Sequence, residues 1–104
     1  MITNPYPFAF NLKHTKFYFQ SKGINGTFDM VVIFDFRGEN RFNLALGVLI
    51  EGKIRFDVET NNHDFRKVFE TVGAAIYHFF EAYPHASLDI GAFIEQRLLV
   101  YNGI

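Results

Sequence analysis

The chain has 104 residues, 49% of them hydrophobic and 20% charged, which supports one core and leaves too little length for two ordinary domains. Ten Lys and Arg against eleven Asp and Glu give a formal net charge of -1, so there is no general attraction to a phosphate backbone and no acidic mimicry of one. With no cysteine, disulfides, thiolate metal sites and a cysteine nucleophile are excluded, a composition that fits a reducing compartment.

Residues 1–12 carry Pro5 and Pro7, each fixing its own φ and pushing its predecessor toward an extended conformation, so an extended N-terminal arm is expected. Tyr6, Phe8 and Phe10 share one side of it at period two and suit a sheet edge. No basic segment precedes a continuous apolar stretch here, so the arm does not read as a signal peptide. "TKFYFQ", Thr15–Gln20, predicts a strand with Phe17 and Phe19 on one face, and "SKGING", Ser21–Gly26, a turn. "TFDMVVIFDFR", Thr27–Arg37, is the strongest strand signal: Phe28, Met30, Val32, Phe34 and Phe36 alternate, with Asp29, Val31, Ile33 and Asp35 opposite. "RFNLALGVLI", Arg41–Ile50, repeats the pattern, and its small residues Ala45 and Gly47 permit a close approach from outside. After the hairpin signal Glu51–Lys53, Ile54, Phe56 and Val58 alternate with Arg55, Asp57 and Glu59, the second set facing solvent.

From Asp64 the period lengthens. Phe65, Val68, Phe69, Val72, Ile76, Phe79, Phe80 and Tyr83 recur at three and four, the stripe of a helix over Asp64–Tyr83 that Pro84 ends. Gly73, Ala74 and Ala75 allow another backbone close to its middle, and His78, beside the stripe, is expected to pack. A short strand around Ser87–Ile90 and a helical segment over Phe93–Tyr101 complete the chain. The fold expected is α+β: an antiparallel meander of four to five strands, one long helix packed on one face and a short C-terminal helix. The longest apolar runs, such as Leu44–Ile50, fall far short of the ~20 residues of a membrane span. A soluble, cytoplasmic, single-domain protein without membrane contact is expected.

Three groups of residues invite a functional reading. In "VETNNHDFRKV", Val58–Val68, the side chains of Thr60, Asn61 or Asn62 can cap the orphan amides of the helix and Asp64 suits its positive end. The functional alternative has Asn61, Asn62, His63 and Asp64 binding an anion or a partner's carboxylate. Asp57 and Glu59, two apart on one strand, point the same way as a two-carboxylate metal site requires, although alternating charge on an edge strand explains them as well, and no metal is assigned. No HExxH, glycine-rich phosphate loop or GxSxG occurs, so no cofactor is expected. Lys13, Lys16, Lys22, Arg41, Arg55, Arg66, Lys67 and Arg97 are scattered, and Tyr18 is the main ring available to stack a base, so nucleic acid is disfavoured as a partner.

Thr60, Asn61, Asn62, Asp64, Lys67, Tyr83, Pro84, Gly91, Arg97 and Tyr101 occupy the places of a Thr-Asn-Asn turn, a long helix, a Tyr-Pro step and a glycine strand leading to an arginine-bearing helix. Over residues 58–104 this resembles an uncharacterised family of short bacterial proteins known as a domain of unknown function. "GAFIEQ" replaces the Gly-Ser/Thr-rich step usual before the family's arginines. The resemblance implies the fold and carries no activity. Negative chemistry and an aromatic-rich chain with sheet edges then point to a non-enzymatic protein-interaction module, a small inhibitor or regulator acting through a protein partner or as a homodimer. The alternative is a metal-assisted hydrolase or nucleic-acid-processing factor using Asp57, Glu59, His63 and Asp64 as catalytic groups, with Arg97 on a phosphate.

Overall fold

Period-two alternation builds a sheet, and the computed structural model, which describes residues 3–58 and 60–95, contains it in the expected order. The strands are β1 (Ala9–Phe10), β2 (Lys16–Gly23), β3 (Gly26–Gly38), β4 (Arg41–Ile50) and β5 (Lys53–Arg55); α1 (Phe65–Ala82) and β6 (Ser87–Asp89) follow. β1 to β5 pair antiparallel with their sequence neighbours, as a meander. Residues 91–95 form a short C-terminal helix, with the Ile94 amide donating to the Ile90 carbonyl at 3.0 Å, and the remainder of the helical segment expected over Phe93–Tyr101 lies outside the described residues.

The sixth strand adds a parallel pairing. β6 lies along Arg41–Asn43 of β4, on the same edge that β5 occupies at Val48–Ile50, so one edge of β4 is divided between two partners. A parallel neighbour needs a crossover, and α1 supplies it.

The inner face carries the core. Phe17 and Phe19 of β2, Met30, Val32 and Phe34 of β3, and Phe42, Leu44, Leu46 and Val48 of β4 pack against Val68, Val72, Ala75 and Phe79 of α1. Phe79 stacks on Phe34 at 4.2 Å between ring centroids and meets Phe42 edge-on at 4.9 Å. Ala75 is fully buried, whereas a Cβ at Gly73 would meet nothing within 4 Å, so Ala75 takes part in the expected small-residue contact and Gly73 does not. His78 packs as expected, among Phe10, Phe17 and His14, whose imidazole stacks on it at 5.3 Å. The N-terminal arm closes one end of the core: Tyr6 is buried against Phe19, and its amide donates to the Thr71 hydroxyl at 2.8 Å.

β5 departs from its expected facing. Leu49 pairs with Ile54 and Val48 with Arg55, so Ile54 falls on the outer face and the strand ends before Asp57. Val58 does reach the core, but Ile54 and Phe56 lie over Gly47 outside it. A Cβ at Gly47 would stand 2.5 Å from Ile54 Cγ2 and 3.2 Å from Phe56 Cε1. The missing side chain leaves a trough that these two apolar groups fill, which is the close approach expected at that position.

Candidate functional site

The segment between β5 and α1 turns without capping the helix. Asp64 is the N-cap, and no side chain there accepts from the first-turn amides, so the expected cap by Thr60, Asn61 or Asn62 is not formed. The segment is bonded instead to the β2–β3 hairpin, through the Asn62 side chain and the backbone carbonyls of Thr60, Asn61 and Asn62. Asn62, 3% exposed, accepts the Asn25 amide at 2.7 Å and donates through Nδ2 to the Ser21 hydroxyl at 3.0 Å and the Gly26 carbonyl at 2.9 Å. Its carbonyl accepts the Ile24 amide, while Asn25 Nδ2 donates to the carbonyls of Thr60 and Asn61. A Cβ on Gly23 would fall on the Asn62 carbonyl, so that glycine is what lets the two segments meet.

Asp64 completes this clasp. Its Oδ2 accepts from the Ser21 hydroxyl at 2.6 Å and lies 2.7 Å from the Tyr6 hydroxyl, which also lies 3.0 Å from the Lys22 carbonyl and accepts the Lys22 amide at 3.1 Å. Burial first, and then the hydrogen bond to the Asp64 carboxylate, push the Tyr6 phenol above its ordinary pKa. Ser21 is fully buried, so its hydroxyl beside a carboxylate has no approach for a substrate. The arrangement joins the arm, the first hairpin and the helix start by hydrogen bonds that are mutually satisfied. Asn61 and His63 are exposed, with φ of 50° and 58° on either side of the buried Asn62.

Among the other sequence candidates, the described ones, Asp57 and Tyr18, make no hydrogen bond to this corner. Asp57 lies beyond β5 and is held by the Arg55 guanidinium at 3.1 Å, which keeps its carboxyl below the usual range, chiefly by that hydrogen bond. Glu59 and Arg97 lie outside the described residues. Tyr18 stands on the outer face, 37% exposed. Among the described residues no three His, Asp or Glu side chains gather closely enough to hold a metal ion, and no helix is long and apolar enough to cross a membrane.

Sequence reasoning missed a second polar place. Arg37, Arg41, Asn43, Ser87, Asp89 and Gly91 line an open cleft of about 730 Å³ where β3 ends, β4 begins and β6 runs alongside. Arg41 pairs with Ser87 and Asn43 with Asp89, which sets four polar side chains on the outer face while their alternates, Phe42 and Leu88, pack inward. Arg41 Nε donates weakly to the Gly38 carbonyl at 3.4 Å, Arg37 pairs with Asp35 at 3.2 Å, and Asp89 Oδ1 accepts the Gly91 amide at 2.8 Å. These residues are far apart in the chain, and only the parallel register brings them together.

No curated protein and no solved structure matches the chain. A family model described as "Family of unknown function (DUF6934)" matches residues 3–104, which extends the resemblance from the C-terminal half to the strands and the arm. The sheet, the helix and the clasp that joins them therefore all lie within the matched region, and the chain belongs to this family of unknown function, DUF6934.

Proposed function

We propose that the domain is a non-enzymatic protein-interaction module, a small regulator or inhibitor that works as a homodimer through the outer face of its sheet. The observation that carries this reading is the apolar centre of that face, where Val31 is fully buried, Ile33, Ala45, Leu49 and Ile54 are half-buried, and Tyr18 and Phe56 are exposed. A one-sided antiparallel sheet ordinarily turns polar residues outward. Here Tyr18 pairs with Val31 and Val31 with Gly47, Ile33 pairs with Ala45, and Leu49 pairs with Ile54, with Phe56 beside Gly47. Among the described residues α1 packs only on the opposite face. Lys16, Gln20, Asp29 and Asp35 frame this centre with both signs of charge, so a two-fold pairing can set cation against anion. A net charge of -1 gives two copies little mutual repulsion.

Size-exclusion chromatography with light scattering over a range of concentrations tests the proposal. A dimer is expected, and Ala45→Arg, which places a charge at the centre of the face, should return a folded monomer. A monomer at every concentration removes the homodimer, and one that also retains no protein in a pull-down removes the interaction module. The hydrolase alternative draws less support, because Asp57 is engaged by Arg55 and Asp64 by Ser21 and Tyr6.

A further inference from the structure

The cleft at the β4–β6 end of the outer face has a chemistry that dimerisation does not use. We propose that it binds a small phosphorylated molecule bearing hydroxyl groups, of the sugar-phosphate class, with the phosphoryl group on Arg41 and Arg37 and the hydroxyls on Asp89 and Asn43.

Unspent polar groups converge there. Among the described residues Arg41 makes one long hydrogen bond through Nε and no ion pair, which leaves both its terminal nitrogens uncommitted to them. Arg37 commits one terminal nitrogen to Asp35, in a pair whose side chains are more than half exposed. The Asn43 side-chain amide and the Ser87 hydroxyl make no hydrogen bond to the described residues, and Asp89 commits only Oδ1 among them. Two guanidinium groups on one wall match a phosphoryl oxygen fork. Asp89 selects against a bare oxyanion by repulsion and in favour of a ligand that offers it a hydroxyl donor.

Spacing narrows the class. Asp89 lies two register positions beyond the partner of Arg41 and forms no ion pair with it. The ligand must therefore span the two. A pentose phosphate carries its phosphoryl and ring hydroxyls at opposite ends and can offer one to each. Ile90, 39% exposed, lines the same cleft and offers apolar contact to the C–H face of a sugar ring. The volume falls within the roughly 300–1,000 Å³ of small-molecule sites.

Amide NMR titration of the full chain with ribose 5-phosphate, ribose and inorganic phosphate tests this inference. Saturable shifts from ribose 5-phosphate at residues 41–43 and 87–91 are expected, with Arg41→Gln weakening binding about tenfold. Asp89→Asn retains an oxygen for the Gly91 amide, so the turn survives. It should weaken ribose 5-phosphate and tighten inorganic phosphate, two effects of opposite sign that a merely structural role would not produce. Lys53→Gln, on β5, should alter neither. Absence of saturable shifts at millimolar ribose 5-phosphate overturns the proposal, as does an identical response of both ligands to Asp89→Asn. The titration reads the same whether or not the protein dimerises, so the two proposals fail separately.

Discussion

Replacing Asn62 with alanine removes the centre of the clasp between the first hairpin and the start of α1. Three side-chain hydrogen bonds, to the Asn25 amide, the Ser21 hydroxyl and the Gly26 carbonyl, disappear from a residue only 3% exposed. At about 0.5–1.5 kcal/mol net for each, the loss is about 2–4 kcal/mol. Water can reach part of the Asn25 and Gly26 groups, and Ser21 retains Asp64, so the penalty for orphaned partners stays small. A domain of this size is stable by about 5–15 kcal/mol, so the loss is a large fraction. Urea unfolding followed by far-UV circular dichroism should show the midpoint falling by about 1–2 M with an unchanged slope, since the unfolded surface is the same. Asn61→Ala should cost only about 1 kcal/mol, the price of holding alanine at a φ of 50°. A loss below about 0.5 kcal/mol for Asn62→Ala, or an equal loss for both variants, would refute the clasp as the source of stability at this corner.

Tyr6→Phe should change the alkaline limb of stability. Because the folded-state phenol sits above its ordinary 10.0, stability is intact below that pH and declines as pH rises through the raised value. Chemical denaturation across this range should show the decline in the parent chain and a flatter profile in the variant. Gly47→Ala puts a methyl group 2.5 Å from Ile54 Cγ2 and should cost about 1–3 kcal/mol, part of which Ile54→Ala in the same chain should restore on thermal melting. Gly73→Ala, at an open position inside α1, should stabilise by about 0.5–1 kcal/mol and raise the melting temperature.

The strands and the long helix were legible because burial imposes its period on the residues that meet the core: Phe17 and Phe19, Met30 to Phe34, Phe42 to Val48, and Val68 to Phe79. β5 misled because alternation identifies two faces without saying which one the register turns inward, and Gly47 drew Ile54 and Phe56 to the outside. The corner misled for a different reason. Thr, Asn and Asp suit a cap and a clasp equally, and what separates the two is a hairpin about forty residues earlier. One signal was available: Ser21 continues the inward positions of Phe17 and Phe19, and a polar residue placed there needs a buried partner. The cleft left no trace in sequence, because a three-residue parallel strand has too little pattern to fix its neighbour.

The divided edge of β4 bears on how the chain reaches this state as it emerges from a ribosome. β2, β3 and β4 join through short hairpins and can associate as soon as residue 50 is available. The half-edge at Arg41–Asn43 has no partner until residues 87–89 follow, and the inner aromatics have no cover until α1 is complete. For that interval a growing chain presents unpaired backbone beside Phe42 and Phe34, the combination most prone to self-association. Truncation between β5 and β6 should therefore yield an aggregating fragment rather than a smaller stable sheet, which makes α1 and β6 the protectors of the strands synthesised before them.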